Sequence, residues 1–140
     1  MIDLTTLECC QAALGASPFQ QALGLNATGL DPDAPEIEIT LPYSGAAARS
    51  AGSDQLHGGV LASLIDIAGD YVLAIRLGRF PPTINLHTDY LRPSHGTVRA
   101  RARIVRLGRT IGVADVEVFD AGDRLVAAGR GTYATGGGTT

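Results

Sequence analysis

Residues 56–70 read LHGGVLASLIDIAGD, and this stretch opens the longest helical pattern of the chain. From residue 58 to residue 77, apolar residues recur at helical spacing and gather on one face of the predicted helix. They are Leu61, Leu64, Ile65, Ala68, Val72 and Ile75. The opposite side carries Gly59, Ser63, Asp66 and Asp70. Gly78 is a typical C-cap residue, so we expect one long helix over 58–77.

The segments on both sides of this helix predict strands. Before it, we expect a short helix and two strands joined by the turn DPDAP; after the loop at 44–56 and the long helix, we expect four more strands. The short helix is predicted at 4–15, and the strands at 19–30, 35–43, 83–91, 97–107, 111–119 and 124–135. A sheet with one apolar face needs a cover, and the long helix is the only element large enough. The sequence therefore predicts an α+β protein, with a curved antiparallel sheet wrapped around one buried helix.

The arginine-rich strand at 97–107 illustrates the period of two. Its small and apolar residues, Val98, Ala100, Ala102 and Ile104, alternate with Arg99, Arg101 and Arg103. Such alternation predicts one covered face and one solvated face. A length of 140 residues suits a single domain over 1–140, with helical structure within 1–17 and a disordered tail at 136–140.

Composition excludes several classes of protein. A net charge of −3 and a pI near 5.5 argue against nucleic acid as a partner. No run approaches the roughly 18 apolar residues of a membrane span, so we expect no membrane partner. Cys9 and Cys10 are adjacent and stand alone, and no secretory signal precedes them, which favours a cytoplasmic location. No set of residues has the spacing of metal ligands, so no metal is expected.

The start of the long helix combines features that suit chemistry. The N–H groups of Gly58 and Gly59 lie at the positive end of the helix dipole, where they favour a developing oxyanion. Asp66 follows His57 by nine residues, about two and a half turns along the helix. From spacing alone, an ordinary polar-face residue remains the simpler interpretation of Asp66. A helix-capping role is equally the simpler one for His57.

Four segments together resemble the hotdog-fold thioesterases of the phenylacetic-acid-degradation and 4-hydroxybenzoyl-CoA type. They read HGGVLASLIDIA, TINLHTDYLRP, VRLGRT and LVAAGRGTYAT, and the likeness covers roughly residues 30–135. The resemblance implies the hotdog fold, hydrolysis of acyl-CoA at sites formed between two subunits, and assembly as a homodimer or homotetramer. CoA is then part of the substrate, and no separate cofactor is expected.

The resemblance also implies roles for individual residues. Gly58 offers its N–H to the thioester carbonyl, Asp66 acts as nucleophile or general base, and Thr83 positions water. His57 completes the predicted catalytic set. The CoA phosphates are expected near Arg92, Arg106, Gly108, Arg109 and Thr110.

One departure from the family keeps two alternatives open. Many relatives carry Asn or Gln six residues before the His, where this chain has Ala51. The chain could therefore be a non-catalytic acyl-CoA binding module. A hotdog dehydratase acting on hydroxyacyl carriers, with His57 and Asp66 as its pair, is the other alternative.

Overall fold

The fold is a six-stranded antiparallel sheet that packs around one long helix; the structure, a computed structural model, describes residues 1–137. Within the described residues, three α-helices form in chain order, at Leu7–Ala16 (α1), Pro18–Ala22 (α2) and Gly58–Leu77 (α3), and a 3-10 helix forms at Gly45–Ala47. The strands are Asn26–Asp31 (β1), Glu36–Leu41 (β2), Thr83–Tyr90 (β3), Val98–Leu107 (β4), Ile111–Asp120 (β5) and Leu125–Ala134 (β6). They lie in the order β1-β2-β4-β5-β6-β3, and α3 packs against all of them except β1. The predicted α+β architecture is confirmed.

Helix α3 begins and ends where the sequence predicted. His57 is its N-cap, and Gly78 closes it in the left-handed conformation at φ 67°. The predicted apolar stripe is buried except for the half-buried Ile75, and burial extends further around the helix to Ile67, Tyr71 and Leu73. Only a narrow side is half-buried, and it includes Asp66 and Asp70. Helix α3 is therefore the core of the molecule, and its one uncovered side carries carboxylates.

Strand β4 shows how the sheet divides into two faces. Val98, Ala100 and Ala102 are buried against α3, as their alternation predicted. Arg99, Arg101 and Arg103 lie on the outer face, where they pair with acids of β2, β5 and the β5–β6 turn. The arginines of β4 thus have a structural role in cross-strand ion pairs.

The predicted strand at 19–30 is wrong over its first residues, because residues 18–22 are helical. They form α2, whereas the sequence predicts a strand over 19–30; the first strand begins only at Asn26. The Ser17 side chain accepts a hydrogen bond from the Gln20 N–H, and Pro18 occupies the first helical turn. A side-chain cap and a proline with fixed φ are sufficient to start a short helix that has no long apolar period. Of the predicted tail at 136–140, residues 138–140 lie outside the described range.

Strand β3 forms one edge of the sheet and is bonded only to β6. Two large apolar side chains of this strand are exposed: Ile84 to 57% and Tyr90 to 54%. A register irregularity between Thr83 and Asn85 breaks the simple alternation at Ile84. No helix within residues 1–137 has the length and apolar character needed to cross a membrane.

Candidate active site

Asp66 is held in place by a residue from the edge strand. The Thr83 hydroxyl donates a hydrogen bond of 2.8 Å to the Asp66 carboxylate. The Tyr133 hydroxyl donates to the backbone carbonyl of Asp66 at 2.9 Å, which ties this turn of α3 to β6. Asp66 is half-buried and Thr83 is exposed, so the carboxylate lies at an accessible surface. The remaining acceptor sites of the carboxylate are open to a water or a substrate.

Gly58, at the start of α3, presents a free hydrogen-bond donor. The His57 ring accepts the N–H of Gly59 through Nδ1 at 2.9 Å, and the Tyr90 hydroxyl donates to the Gly58 carbonyl at 2.8 Å. Within residues 1–137, the N–H of Gly58 itself has no acceptor. This donor therefore lies fixed at the positive end of the helix and is available to an anionic oxygen.

Gly58 and Asp66 are too far apart to act on one carbonyl group within one chain. Eight residues separate them on the same helix, which at 1.5 Å per residue is about 12 Å. An oxyanion donor must approach to about 3 Å of the oxygen, and a base or nucleophile must come equally close to its target. Thr83 contacts Asp66, and His57 caps the start of α3. These two groups of residues lie apart on the helix.

A second carboxyl group lies one turn beyond Asp66. Burial, and then the charge of Asp66, raises the pKa of Asp70 to about 7. Its Oδ1 atom is buried and has no hydrogen-bond partner within residues 1–137. Two acids at this spacing could suggest a metal site, but the described residues contain no group of three or more His, Cys, Asp and Glu suited to one. In the sequence, Asp70 follows Asp66 by four residues, and this i, i+4 spacing predicts that both lie on the same face of the helix.

A cleft of about 330 Å³ adjoins the start of α3. Gly58, Tyr90, Arg92, Ser94 and Arg49 line it, and we call it the Arg49–Arg92 cleft. Arg92 was predicted to contact CoA, and the structure places it next to Gly58. Sequence reasoning gave no role to Arg49 or Ser94, because the two loops that carry them meet only in the folded chain.

The turn that carries the other predicted CoA residues lies at the opposite end of the sheet. The Gly108 N–H donates to the Ile111 carbonyl, and Thr135 contacts both Gly108 and Thr110. A side chain at Gly108 would come within 2.6 Å of the Ile111 carbonyl, so the tight turn requires glycine. Arg106 and Arg109 form no ion pair with a described residue and remain available to a ligand.

The residues predicted to contact CoA thus form two groups, one at each end of the site region. Strand β3 leads from Thr83, which pairs with Tyr133 near the turn, to Tyr90 at Gly58. At about 3.3 Å per residue, this path is about 23 Å long. Arg92 and the 106–110 turn therefore lie near opposite ends of the site region.

A second and wider groove lies elsewhere on the molecule. It has a volume of about 750 Å³ and lies on the outer face of the sheet, away from Asp66 and Gly58. Its principal charges are already paired: Arg130 binds Asp115 through two hydrogen bonds of 2.6 and 3.0 Å, and Arg103 binds the same carboxylate. These arginines hold the pKa of Asp115 below its usual range. The groove is therefore dominated by a cross-strand ion-pair network, and neither Gly58 nor Asp66 lines it.

The sequence is similar to that of known thioesterases. The family model described as the thioesterase superfamily matches residues 55–127, which include His57, Gly58, Asp66 and Thr83. YigI of Salmonella typhimurium, a medium/long-chain acyl-CoA thioesterase, is 32% identical, and the match covers 85% of this chain and 86% of that protein.

Solved structures give the same result. Thioesterase HI1161 from Haemophilus influenzae superposes with a TM-score of 0.83 at 26% identity, covering 95% of this chain and 92% of that one. The Escherichia coli PaaI protein, from the phenylacetic acid degradation operon, gives a TM-score of 0.82 at 26% identity, with 99% of each chain covered. The hotdog fold and the family resemblance expected from the sequence are confirmed. This chain belongs to the thioesterase superfamily and is a thioester hydrolase.

Proposed function

We propose that the chain hydrolyses acyl-CoA thioesters at a site shared by two copies, with Gly58 from one copy and Asp66 from the other. The observation that carries this proposal is that Gly58, with its free N–H, and Asp66 lie eight positions apart on one helix, an axial rise of about 12 Å. The N–H is available to donate and the carboxylate is accessible, but one chain cannot bring both groups to the same carbonyl. The similarity to a medium/long-chain acyl-CoA thioesterase supports acyl-CoA as the substrate class.

The chemistry follows from these two groups. The Gly58 N–H donates to the thioester oxygen as it gains negative charge, which stabilises the tetrahedral intermediate. Asp66 either takes a proton from the attacking water or attacks the carbonyl carbon itself, forming an anhydride that water then hydrolyses. In both routes the C–S bond breaks, CoA leaves as a thiol after protonation, and the acyl group leaves as a free acid. Thr83 orients the carboxylate through its 2.8 Å hydrogen bond.

The free edge of β3 provides a physical route to the shared site. A long strand with unpaired backbone groups and exposed Ile84 and Tyr90 favours pairing with another chain. A two-fold axis pairs two identical edge strands in antiparallel fashion. The Thr83 end of one β3 then meets the Tyr90 end of its partner. Because Thr83 contacts Asp66 and Tyr90 contacts Gly58, this pairing brings Asp66 towards the partner's Gly58.

The same pairing would reunite the divided CoA residues. The 106–110 turn lies at the Thr83 end of its own chain, whereas Arg92 lies at the Tyr90 end. In the antiparallel dimer these ends are adjacent across the axis. One CoA molecule would then contact Arg109 of one copy and the partner's Arg92, which supports a homodimer as the smallest complete unit.

The two alternatives have less support. A dehydratase needs a free catalytic imidazole, but Nδ1 of His57 is engaged as the cap of α3. A non-catalytic binding module rests only on Ala51 and does not account for an accessible carboxylate oriented by Thr83.

Thiol release from a panel of acyl-CoAs of increasing chain length tests the proposal. We expect turnover by the wild type, and a loss of at least about 10²-fold in kcat for Asp66→Asn, because an essential acid–base or nucleophilic group is removed. The exposed Asp33 supplies the control: Asp33→Asn should leave kcat unchanged. Near-normal kcat in Asp66→Asn, with the fold intact, would contradict the assignment.

A further inference from the structure

The backbone that leads into helix α3 is held by hydrogen bonds on both sides of the free Gly58 N–H. The His57 N–H donates to the Ala47 carbonyl at 2.9 Å, and the His57 carbonyl accepts the Val60 N–H at 3.0 Å. The second of these bonds fixes the peptide group between His57 and Gly58, which carries the Gly58 N–H. Within residues 1–137, that N–H is left without an acceptor.

The next peptide group, between Gly58 and Gly59, is held at both of its ends. Its N–H, from Gly59, donates to Nδ1 of His57 at 2.9 Å, and its carbonyl, from Gly58, accepts the Tyr90 hydroxyl at 2.8 Å. Two neighbouring glycines allow wide backbone rotation, because neither has a Cβ atom. Since the peptide groups on both sides of Gly58 are fixed, the Gly58 N–H keeps one direction.

The Tyr90 ring lies directly against Gly58. A Cβ atom added at Gly58 would lie 3.3 Å from the Cε1 and Cζ atoms of Tyr90 and 3.4 Å from its hydroxyl oxygen. Tyr90 is the last residue of β3 and pairs with Ala127 of β6, and the following N–H, from Leu91, donates to the Val126 carbonyl at 2.9 Å. The sheet therefore holds the backbone that presents this hydroxyl to Gly58.

Stability alone does not account for the Tyr90 hydroxyl. Tyr90 is 54% exposed, so its side chain adds little to the core. In an α-helix that begins at Gly58, the Gly58 carbonyl accepts the N–H four residues along the chain. The tyrosine thus donates a second bond to a carbonyl that already has a partner. This second bond adds restraint at the residue whose N–H is free.

We propose that Tyr90 is a positioning residue for catalysis, which fixes the direction of the Gly58 N–H by binding the adjacent carbonyl. The inference rests on the proposed function, in which this N–H receives the developing oxyanion. An aligned donor costs no reorganisation as the charge develops, whereas a mobile donor must be ordered during the reaction. Tyr90 acts through Gly58, and no contact with the substrate is assigned to it.

Tyr90→Phe tests this role, with Tyr43→Phe as the matched control. Tyr43 is also exposed, and its hydroxyl also donates to a backbone carbonyl, that of Ser53, at 2.7 Å. We expect Tyr90→Phe to lower kcat about tenfold, the size of one lost hydrogen bond, with KM and Tm little changed. Tyr43→Phe should keep the wild-type kcat. A normal kcat in Tyr90→Phe, or an equal loss in both variants, would overturn the proposal.

A double-mutant cycle shows whether Tyr90 acts through the Gly58 N–H. In Gly58→Pro this N–H is absent, so Tyr90→Phe has no donor to position, and we expect a further loss in kcat of less than about twofold. Gly58→Ala keeps the N–H and places a Cβ atom against the same ring, so the loss of about tenfold should persist there. Equal losses in the two backgrounds would contradict action through this donor.

The mobility of the Gly58 N–H gives a readout that does not need turnover. Its order parameter, from ¹⁵N relaxation, is about 0.85 for a rigid backbone and below about 0.6 for a flexible one. We expect a rigid value in the wild type and in Tyr43→Phe, and a lower value in Tyr90→Phe. If the wild type is inactive and Tyr90→Phe still loosens Gly58, the hydrolytic assignment fails and the restraint by Tyr90 stands. An unchanged order parameter in Tyr90→Phe would overturn the proposal.

Discussion

The beginning and the middle of helix α3 differ in almost every chemical property. At its beginning, Gly58 offers a free N–H, and the arginines of the adjoining cleft add positive charge without any nearby acid in the lining. In its middle, Asp66 and Asp70 place two carboxyl groups one turn apart, and burial keeps the second largely neutral up to a pH near 7. In the proposed mechanism, the first region donates a hydrogen bond to the oxyanion, and the second accepts a proton or attacks the carbonyl carbon. A thioesterase needs both functions at one carbonyl, and the rigid helix keeps them about 12 Å apart in one chain.

In the proposed mechanism, the beginning of α3 with Gly58 is the first half-site and its middle with Asp66 is the second, and the two have opposite chemical character. Each half-site is fixed by a different end of β3, through Tyr90 at Gly58 and Thr83 at Asp66. The strand that separates the half-sites within a chain is also the free edge through which a second copy can join them.

The strongest way to break the first half-site is to remove one N–H group. Gly58→Pro does this at the first helical position, where proline is tolerated, and the His57 backbone is already extended as a residue before proline requires. We expect kcat to fall by about 10²–10³-fold, as for loss of an oxyanion donor. Measured turnover and helical content by circular dichroism check this.

Gly58→Ala is the matched control for that change. It keeps the N–H group, and its added Cβ meets the same Tyr90 ring at 3.3 Å. We expect most activity to survive in Gly58→Ala. If both variants lose activity equally, crowding against Tyr90 explains the loss and the donor role fails.

The second half-site predicts a distinctive dependence of stability on pH. The pKa of Asp70 is raised from 3.8 to about 7 by burial and by the charge of Asp66, so between these values the native state binds more protons than the unfolded state. Stability should therefore fall as pH rises from 4 to 7, by at most about 1.4 kcal/mol for each pH unit. Asp70→Asn should remove this contribution and gain stability relative to the wild type at pH 8.

Urea unfolding of both proteins across this pH range measures the effect. The exposed Asp33 is again the control, and Asp33→Asn should follow the wild-type profile. A profile of Asp70→Asn parallel to that of the wild type would mean that Asp70 is ionised in both states and that the acidic half-site is more solvated than its burial indicates.

The smallest expected effect concerns the turn beyond the second half-site. Arg109 has no partner among residues 1–137 and should contact a CoA phosphate, so Arg109→Ala should raise KM about fivefold and change kcat less. The rise should shrink for acyl-pantetheine, which lacks the nucleotide phosphates. Arg124→Ala, which breaks only an ion pair with Asp120, is the control. An equal rise in KM for the truncated substrate would make the turn structural.

The sequence was sufficient where burial follows a period. The stripe of α3 and the alternation of β4 were predicted because apolar residues at spacings of 3.6 and 2 must face one core. The helix at Pro18–Ala22 was not predicted, because its start depends on one serine cap and one proline and not on a repeating pattern. A local helix cap competes with the strand propensity of the same residues, and tertiary packing determines whether a helix or a strand forms.

Less of the candidate site could be predicted from the sequence. The helix pattern singled out Gly58 and Asp66, but their roles and the choice of Thr83 came from the family resemblance; the contact of Thr83 with Asp66 spans 17 residues. The contact of Tyr133 with the carbonyl of Asp66 spans 67 residues and left no local signal. The Arg49–Arg92 cleft likewise depends on two loops that the fold brings together. Contacts of this kind depend on packing geometry, which no short motif encodes.

Mixed dimers test the shared site most directly. Asp66→Asn and Gly58→Pro subunits carrying different tags are co-expressed, and the heterodimer is purified away from both parent homodimers. If each site takes Gly58 from one copy and Asp66 from the other, one of the two sites in the heterodimer is intact. We then expect about half of the wild-type activity per dimer, while both parent homodimers stay inactive. A heterodimer as inactive as its parents would show that each chain supplies both groups to its own site, and would contradict the account.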